Sequence, residues 1–254
     1  MKLTDMELVI DGKVARLTFK RPKMLNAINY EAAISLNRAA QTIRDDPNVR
    51  LVLIRGEGRA FCTGIDLKEF ASGDTPHEYF EQWDRALRIF ETSETIVLCA
   101  MHGYSLGGGL QLGLASDIRI ATTDCLMGLP AIQESIMPGL ATKRLQTFIG
   151  MGRAKQLIVS GDNVDGRRAL ELGLVDHVAE PEEFDEVVES LVAKYLATCS
   201  EGTRQSKVLM GLSADMSTAA FFEEYLRRQR VCLASPDHEE AKNAYREKRA
   251  PNWG

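Results

Sequence analysis

The sequence predicts an α/β fold in which buried strands alternate with amphipathic helices. Residues 51–54 and 96–101 are continuous apolar runs of strand length, which is typical of strands covered on both faces. Apolar residues recur at helical spacing over residues 28–43, which indicates a helix with one buried face. Toward the C-terminus the strand patterns stop, and residues 203–248 are predicted to be wholly helical.

The first half of the chain shows this alternation most clearly. Residues 13–19 alternate polar and apolar side chains, as a half-buried strand should. The helix that starts near residue 28 is expected to close at Asp45-Asp46-Pro47, because proline cannot continue a helix. The strand at residues 51–54 is followed by a helix near residues 77–91.

The second half continues the alternation up to residue 198. The predicted strands lie at residues 96–101, 118–121 and 173–178, and the predicted helices at residues 111–115, 154–159 and 182–196. We therefore divide the chain into a core over residues 1–198 and a C-terminal helical region over residues 199–254. This second region lacks the apolar content to fold alone, so we expect it to pack on the core or on another subunit.

The bulk properties exclude several classes of function. The net charge of −5 argues against nucleic acid as the main partner. No apolar run reaches about 18 residues, so no membrane span is expected, and residues 1–7 do not resemble a secretory signal. The five cysteines lack metal-binding spacing, which predicts free thiols, a cytoplasmic location and no metal site.

Three consecutive glycines, Gly107, Gly108 and Gly109, stand where a predicted strand turns into a predicted helix. Without side chains, the backbone can approach a ligand closely. The first N–H groups of a helix have no intrahelical partners and lie at the positive end of its dipole, so they suit a developing oxyanion. A tight turn or close helix packing explains the glycines equally well.

Several sequence blocks, in order along almost the whole chain, resemble the enoyl-CoA hydratase/isomerase (crotonase) superfamily. They are residues 21–27 (RPKMLNA), 58–69 (GRAFCTGIDLKE), 103–109 (GYSLGGG), 116–121 (SDIRIA), 128–130 (GLP), 138–139, 235–241 and 247–253. The resemblance implies a spiral of ββα units with a C-terminal α-helical assembly region, usually in a homotrimer or a dimer of trimers. It also implies an acyl-CoA ligand, with coenzyme A entering as part of the substrate and no permanently bound cofactor.

The resemblance further implies which residues bind the thioester. The backbone N–H groups of Ile65 and Gly108 would hold the carbonyl oxygen in an oxyanion hole. The other residues expected at the ligand are members of the two glycine blocks and several cations: Ala60, Gly64, Asp66, Leu67, Gly107, Lys20, Arg21, Lys23 and, from the C-terminal region, Lys248. Arg59 and Lys68, which flank the first block, are candidates for the same role as these cations. Main-chain groups around Ala60 would hold the adenine and the cations its phosphates, although each cation is equally well explained as a solvated surface charge.

The chain departs from the family at the two positions where hydratases carry catalytic glutamates. Gln111 occupies the first position and Ala131 the second. Neither an amide nor a methyl group acts as a general base near neutral pH, so two-glutamate hydration is not expected. Glu134, one turn beyond Ala131, is a candidate acid/base, unless it is exposed or paired with Lys143 or Arg144.

The sequence thus predicts an enzyme that stabilises the enolate of an acyl-CoA and works as an isomerase, decarboxylase or hydrolase. Gln111 would contact the substrate or an ordered water. The alternative is a non-catalytic acyl-CoA-binding protein, which the loss of both carboxylates also fits. Cys62 is expected to be an inert buried thiol rather than a nucleophile, and His102 a structural histidine.

Overall fold

The computed structural model describes residues 3–73 and 75–253. The strands in this part of the chain are β1 (Met6–Asp11), β2 (Val14–Phe19), β3 (Leu51–Gly56), β4 (Ile96–Met101), β5 (Tyr104–Leu106), β6 (Ile118–Thr122), β7 (Leu126–Gly128), β8 (Asn163–Val164) and β9 (His177–Ala179). The helices are α1 (Tyr30–Asp45), α2 (Leu67–Ser72), α3 (Glu78–Thr92), α4 (Gly108–Leu114), α5 (Ala141–Ile149), α6 (Met151–Ser160), α7 (Gly166–Leu172), α8 (Phe184–Ala197), α9 (Glu201–Leu212), α10 (Thr218–Ala234) and α11 (Pro236–Glu247). Short 3-10 helices span Pro22–Met24, Pro130–Glu134 and Ser213–Asp215.

A six-stranded sheet in the order β1-β2-β3-β4-β6-β9 forms the centre of the molecule. β1 and β2 pair antiparallel, and every later neighbouring pair in this sheet is parallel. A second sheet, in the order β5-β7-β8, forms beside it. The strand–helix alternation predicted from the sequence is confirmed by this arrangement.

The apolar residues of the large sheet pack into two cores, one on each face. On one face, β2, β3 and β4 pack against α1 and α3 in a cluster that includes Phe19, Leu36 and Leu87. On the other face, Leu53 and Leu98 pack against α8. Because both faces are covered, the continuous apolar runs in β3 and β4 are fully buried.

The C-terminal helices begin by docking on the core. Lys207 on α9 is buried, and its ammonium group donates to the carbonyl oxygens of Phe90 and Thr95 and pairs with Asp117 at 2.8 Å. α10 packs on α9, and none of its residues is buried. In residues 3–73 and 75–253, no helix is long and apolar enough to cross a membrane.

Some predicted boundaries are wrong. The first helix begins at Tyr30, because Asn29 caps it and Ile28 pairs with Ile65 in a β-bridge. The helix predicted at residue 111 begins at Gly108.

The region after residue 160 also differs from its prediction. Most of residues 173–178 form a turn, because Gly173 ends α7 in a left-handed conformation. The C-terminal region is not continuously helical: it breaks at Met216–Ser217 and again at Ser235, where serines cap the next helices. The division at residue 198 falls between α8 and α9 and stays a prediction.

Candidate active site

Two glycine loops meet at one end of the large sheet. Gly64 has a φ of +84° and contacts Gly108, so that a Cβ on Gly64 would lie only 2.6 Å from the Gly108 nitrogen. Gly108 is the first residue of α4, and its N–H has no partner within that helix. The N–H of Ile65, next to Gly64, likewise has no acceptor among the described residues. Two unpaired backbone donors therefore lie side by side.

Backbone hydrogen bonds hold these loops in register. Ile28 N–H donates to the Gly64 carbonyl at 2.7 Å, and Asp66 N–H donates to the Ile28 carbonyl at 2.9 Å. On the other side, Leu106 N–H donates to the Cys62 carbonyl at 3.0 Å. The loops therefore share bonds with one another, which fixes the direction of the two free N–H groups.

Asp66 anchors the first loop and caps α2. Its Oδ1 accepts from the N–H of Lys68 at 2.9 Å, and its Oδ2 accepts from Arg21 Nη1 at 2.5 Å. Burial tends to raise the pKa of Asp66, but the hydrogen bonds from Arg21 and Lys68 outweigh it and lower the pKa. This carboxylate stays charged and braces the loop.

A cavity of about 330 Å³ opens in front of the two N–H groups. Its wall is mostly apolar and is formed by Met24, Ala27, Thr63, Ile65, Asp66, Leu67, Lys68, Tyr79, Phe80, Trp83, Asp84, Leu106, Gly107, Gly108, Gln111, Pro130, Ala131, Glu134, Ile136, Met137 and Gly139. An apolar cavity with a few polar groups is the usual form of a small-molecule site.

The two predicted departures, Gln111 and Ala131, both lie in this wall. Gln111 is buried, and its Oε1 has no hydrogen-bond partner in the described part of the chain. Ala131 presents only a methyl group. Burying an amide oxygen without a hydrogen-bond donor costs free energy. A ligand that donates a hydrogen bond to Gln111 Oε1 would remove this cost.

Besides Asp66, the cavity wall contains two carboxylates. Glu134 lies in a 3-10 helix and is half-buried; it is not paired with Lys143, which binds Asp215, or with Arg144, which binds Glu91. Asp84 on α3 is the second, and it was not among the residues predicted from the sequence. The available signal was its position on α3, where it lies four residues after Phe80 and three before Leu87, along a row of buried and half-buried side chains.

The predicted phosphate ligands lie outside the cavity wall. Lys20 pairs with Glu7 and Glu57, at 3.3 and 3.0 Å, and Arg21 binds Asp66. Lys23 is exposed beside them, and Lys248 is exposed after the end of α11. The structure brings Lys68, rather than these four cations, to the cavity.

Three further predicted residues lie behind the loops. Ala60 is buried, and its carbonyl accepts from Asn26 Nδ2 at 2.8 Å. Burial raises the pKa of the Cys62 thiol to about 12, which leaves it protonated and unreactive near neutral pH. A ring nitrogen of His102 bonds to the Gly58 carbonyl at 2.8 Å.

In residues 3–73 and 75–253, no group of three or more His, Cys, Asp or Glu side chains could hold a metal ion.

Comparisons with known proteins match this architecture over nearly the whole chain. A family model described as enoyl-CoA hydratase/isomerase matches residues 10–254. A short-chain-enoyl-CoA hydratase of Clostridium acetobutylicum is 32% identical over 98% of this chain and 97% of its own. A crotonyl-CoA hydratase of Syntrophomonas wolfei is 32% identical over 100% of this chain and 99% of its own. The crystal structure of an enoyl-CoA hydratase from Bacillus anthracis superposes with a TM-score of 0.90 and 26% identity, covering 98% of this chain and 99% of the other.

Proposed function

The chain belongs to the enoyl-CoA hydratase/isomerase family, and on that premise we propose that it binds an acyl-CoA thioester and stabilises the enolate of its acyl group. One observation carries this proposal: the unpaired N–H groups of Ile65 and Gly108 lie side by side at an apolar cavity. A thioester oxygen placed between them would gain negative charge as the carbon next to the carbonyl loses a proton. Each such donor is worth about 3–4 kcal/mol in the transition state.

The reaction class follows from the acids that the cavity holds. Gln111 and Ala131 supply no carboxylate, so we propose that the two-glutamate activation of water does not operate. Asp84 and Glu134 do line the cavity, and a carboxylate there would repel the free carboxylate of a malonyl-type thioester. These acids favour proton transfer at carbon, that is isomerisation, over decarboxylation.

The coenzyme A moiety would extend from the cavity past the first glycine block. Lys68 in the cavity wall and the exposed Lys23 would meet its phosphates, while Lys20 and Arg21 already pair with Glu57 and Asp66. Lys248 would join them if α11 approaches the bound coenzyme. Main-chain groups around Ala60 would hold the adenine ring.

The first experiment is incubation with a panel of enoyl-, 3-enoyl-, malonyl- and hydroxyacyl-CoA thioesters, followed by chromatography and mass spectrometry. We expect an isomer of unchanged mass from a 3-enoyl thioester. A gain of water would show hydration, the activity named for the two curated relatives, and would contradict the proposed chemistry. Loss of CO₂ or release of free coenzyme A would assign decarboxylation or hydrolysis instead.

The second candidate function is acyl-CoA binding without catalysis. The replacement of both hydratase glutamates by Gln111 and Ala131 favours it. It predicts that crotonyl-CoA raises the melting temperature, because a ligand of the native state stabilises it, while no thioester of the panel is converted.

We also propose that the chain works as a homotrimer or a dimer of trimers in the cytoplasm. The assembly surface would include α10, which leaves Phe222 and Leu233 more than half exposed. Apolar side chains exposed along one helix are typical of a surface that another subunit covers.

A further inference from the structure

The Asp84 carboxylate has an oxygen that the fold leaves unsatisfied. Oδ1 is buried and accepts no hydrogen bond among the described residues. Arg144 Nη1 lies 4.0 Å from it, which is too far for a hydrogen bond. Arg144 instead donates to both oxygens of Glu91 through Nε and Nη2. Asp84 lines the cavity, and no protein donor competes with a ligand for this oxygen among the described residues.

Asp84 and Gln111 face the same empty point beside Gly139. A Cβ built on Gly139 would lie 3.1 Å from Gln111 Oε1 and 3.6 and 3.7 Å from the two Asp84 oxygens. Glycine at this position leaves that volume open. Two unsatisfied acceptors on different helices, α3 and α4, thus border one space in the cavity wall.

This space is close to the two backbone donors. Gln111 lies one helical turn after Gly108 on α4. Trp83, the neighbour of Asp84, has a ring carbon 3.1 Å from where a Cβ on Gly108 would stand. A thioester with its oxygen on the Gly108 N–H would place its acyl group in the cavity whose wall contains Asp84.

The charges around Asp84 suit a group that exchanges protons. Burial raises the pKa of the carboxyl, the Arg144 guanidinium on α5 opposes this, and Glu91 on α3 adds to it. Glu134 is the other candidate for proton transfer among the acids of the cavity wall. A carboxyl whose pKa is moved toward the working pH is a more effective acid/base than an ordinary aspartate.

We propose that Asp84 is the acid/base residue of this cavity, and that it moves one proton between C2 and C4 of a bound 3-enoyl-CoA. This inference rests on the proposed function. The carboxylate takes the C2 proton, the C–H electron pair becomes a C1–C2 double bond, and negative charge passes to the thioester oxygen. Protonated Asp84 then returns the proton to C4, which restores the carbonyl and leaves the double bond between C2 and C3. No water or further reactant is consumed.

The test compares Asp84→Asn with a control on the same helix. Glu81→Gln removes a carboxylate one turn earlier on α3 that pairs with Arg85 and lies outside the cavity wall. With 3-butenoyl-CoA in D₂O, conversion to crotonyl-CoA is followed by ultraviolet absorption and deuterium uptake by mass. We expect Asp84→Asn to lose at least about 100-fold in both rates, and Glu81→Gln to keep them.

Binding and pH readouts separate a catalytic role from a structural one. Asp84→Asn should bind crotonyl-CoA within about threefold of the wild type by calorimetry, because the base contributes little to ground-state binding. Wild-type activity should rise with pH through the raised pKa of Asp84, because only the carboxylate accepts a proton. Asp84→Glu should recover part of the activity, which keeps the test decisive if the asparagine variant folds poorly.

Three outcomes would overturn the assignment. The first is full activity in Asp84→Asn. The second is loss of activity in Glu134→Gln while Asp84→Asn keeps its activity, which would assign the acid/base role to Glu134. The third is a wild-type protein that binds crotonyl-CoA but neither isomerises 3-butenoyl-CoA nor exchanges its C2 protons. Failure to bind crotonyl-CoA at all would instead overturn the proposed function.

Discussion

At the scale of single residues, Gly64 sets the spacing between the two backbone donors. Its φ of +84° and its contact with the Gly108 nitrogen leave no room for a Cβ. We expect Gly64→Ala to push the two loops apart and to lower the rate of enolate chemistry about 100-fold or more. The infrared carbonyl stretch of bound crotonyl-CoA, which hydrogen bonds shift to lower frequency, should return toward its value in water.

Gly150→Ala is the matched control for this variant. Gly150 has a similar φ of +79°, but nothing lies within 4 Å of its missing Cβ. It should therefore show the strain of a side chain at positive φ without the displacement. If the two variants lose equal activity, backbone strain rather than the separation of the donors is responsible.

The lowered pKa of Asp66 predicts that the stability of the protein depends on pH. Because its pKa is lowered in the folded state, its contribution is complete above the unfolded value of about 3.9 and is lost as pH falls through the folded pKa. We expect Asp66→Ala to lower the free energy of unfolding by about 2 kcal/mol at pH 7, since it removes a helix cap and the partner of Arg21. Urea denaturation from pH 7 to pH 3 should show this difference shrinking below about pH 4.

Exposed Asp124 supplies the comparison for that series. Asp124→Ala should change stability by less than about 0.5 kcal/mol at every pH, as surface substitutions usually do. A difference between wild type and Asp66→Ala that stays constant down to pH 3 would mean that Asp66 does not act through its charge.

At the scale of elements, one buried ion pair ties α9 to the sheet. Lys207 pairs with Asp117, which in turn accepts from the N–H of Val97 in β4 at 2.7 Å. Lys207→Met leaves the Asp117 charge without its partner, so we expect a loss of about 3 kcal/mol in unfolding free energy. Adding Asp117→Asn should recover part of it, and additive losses in this double-mutant cycle would show that the two residues are not coupled.

The strands with continuous apolar runs were predictable, and several elements without such a pattern were not. β3 and β4 follow directly from their apolar runs, because both faces of each strand are covered. β1 was missed because only Met6 is buried, so its sequence lacks alternation. Leu174 and Val175 are buried in a turn, and their apolar character was wrongly interpreted as a strand.

At the scale of the whole molecule, α10 presents an apolar face that the rest of the described chain leaves uncovered. Phe222, Tyr225 and Leu233 lie on one side of the helix and are 55%, 41% and 52% exposed. We expect light scattering to give three chains of 28.2 kDa, about 85 kDa, or twice that mass. Phe222→Glu with Leu233→Glu should shift the mass toward one chain, because burying two charges in an interface is unfavourable.

A second pair of substitutions on α10 separates assembly from folding. Arg230→Glu and Glu223→Lys change charge on the same helix without adding charge to this apolar face, and should leave the assembly intact. A wild-type mass of one chain at micromolar concentration would contradict the assembly proposal.

The sequence alone determined what each segment can do locally. Strand and helix periodicity is a property of short stretches and predicted the α/β fold class. The resemblance carried by the glycine blocks predicted that Gln111 and Ala131 stand where hydratases carry glutamates. The tertiary structure alone decided which side chains share the cavity. Asp84 and Gln111 both lie beside Gly139, and no local pattern encodes the approach of side chains from two helices that are separated by two strands, β4 and β5. Whether a carboxylate at that distance along the chain reaches the site depends on packing in three dimensions.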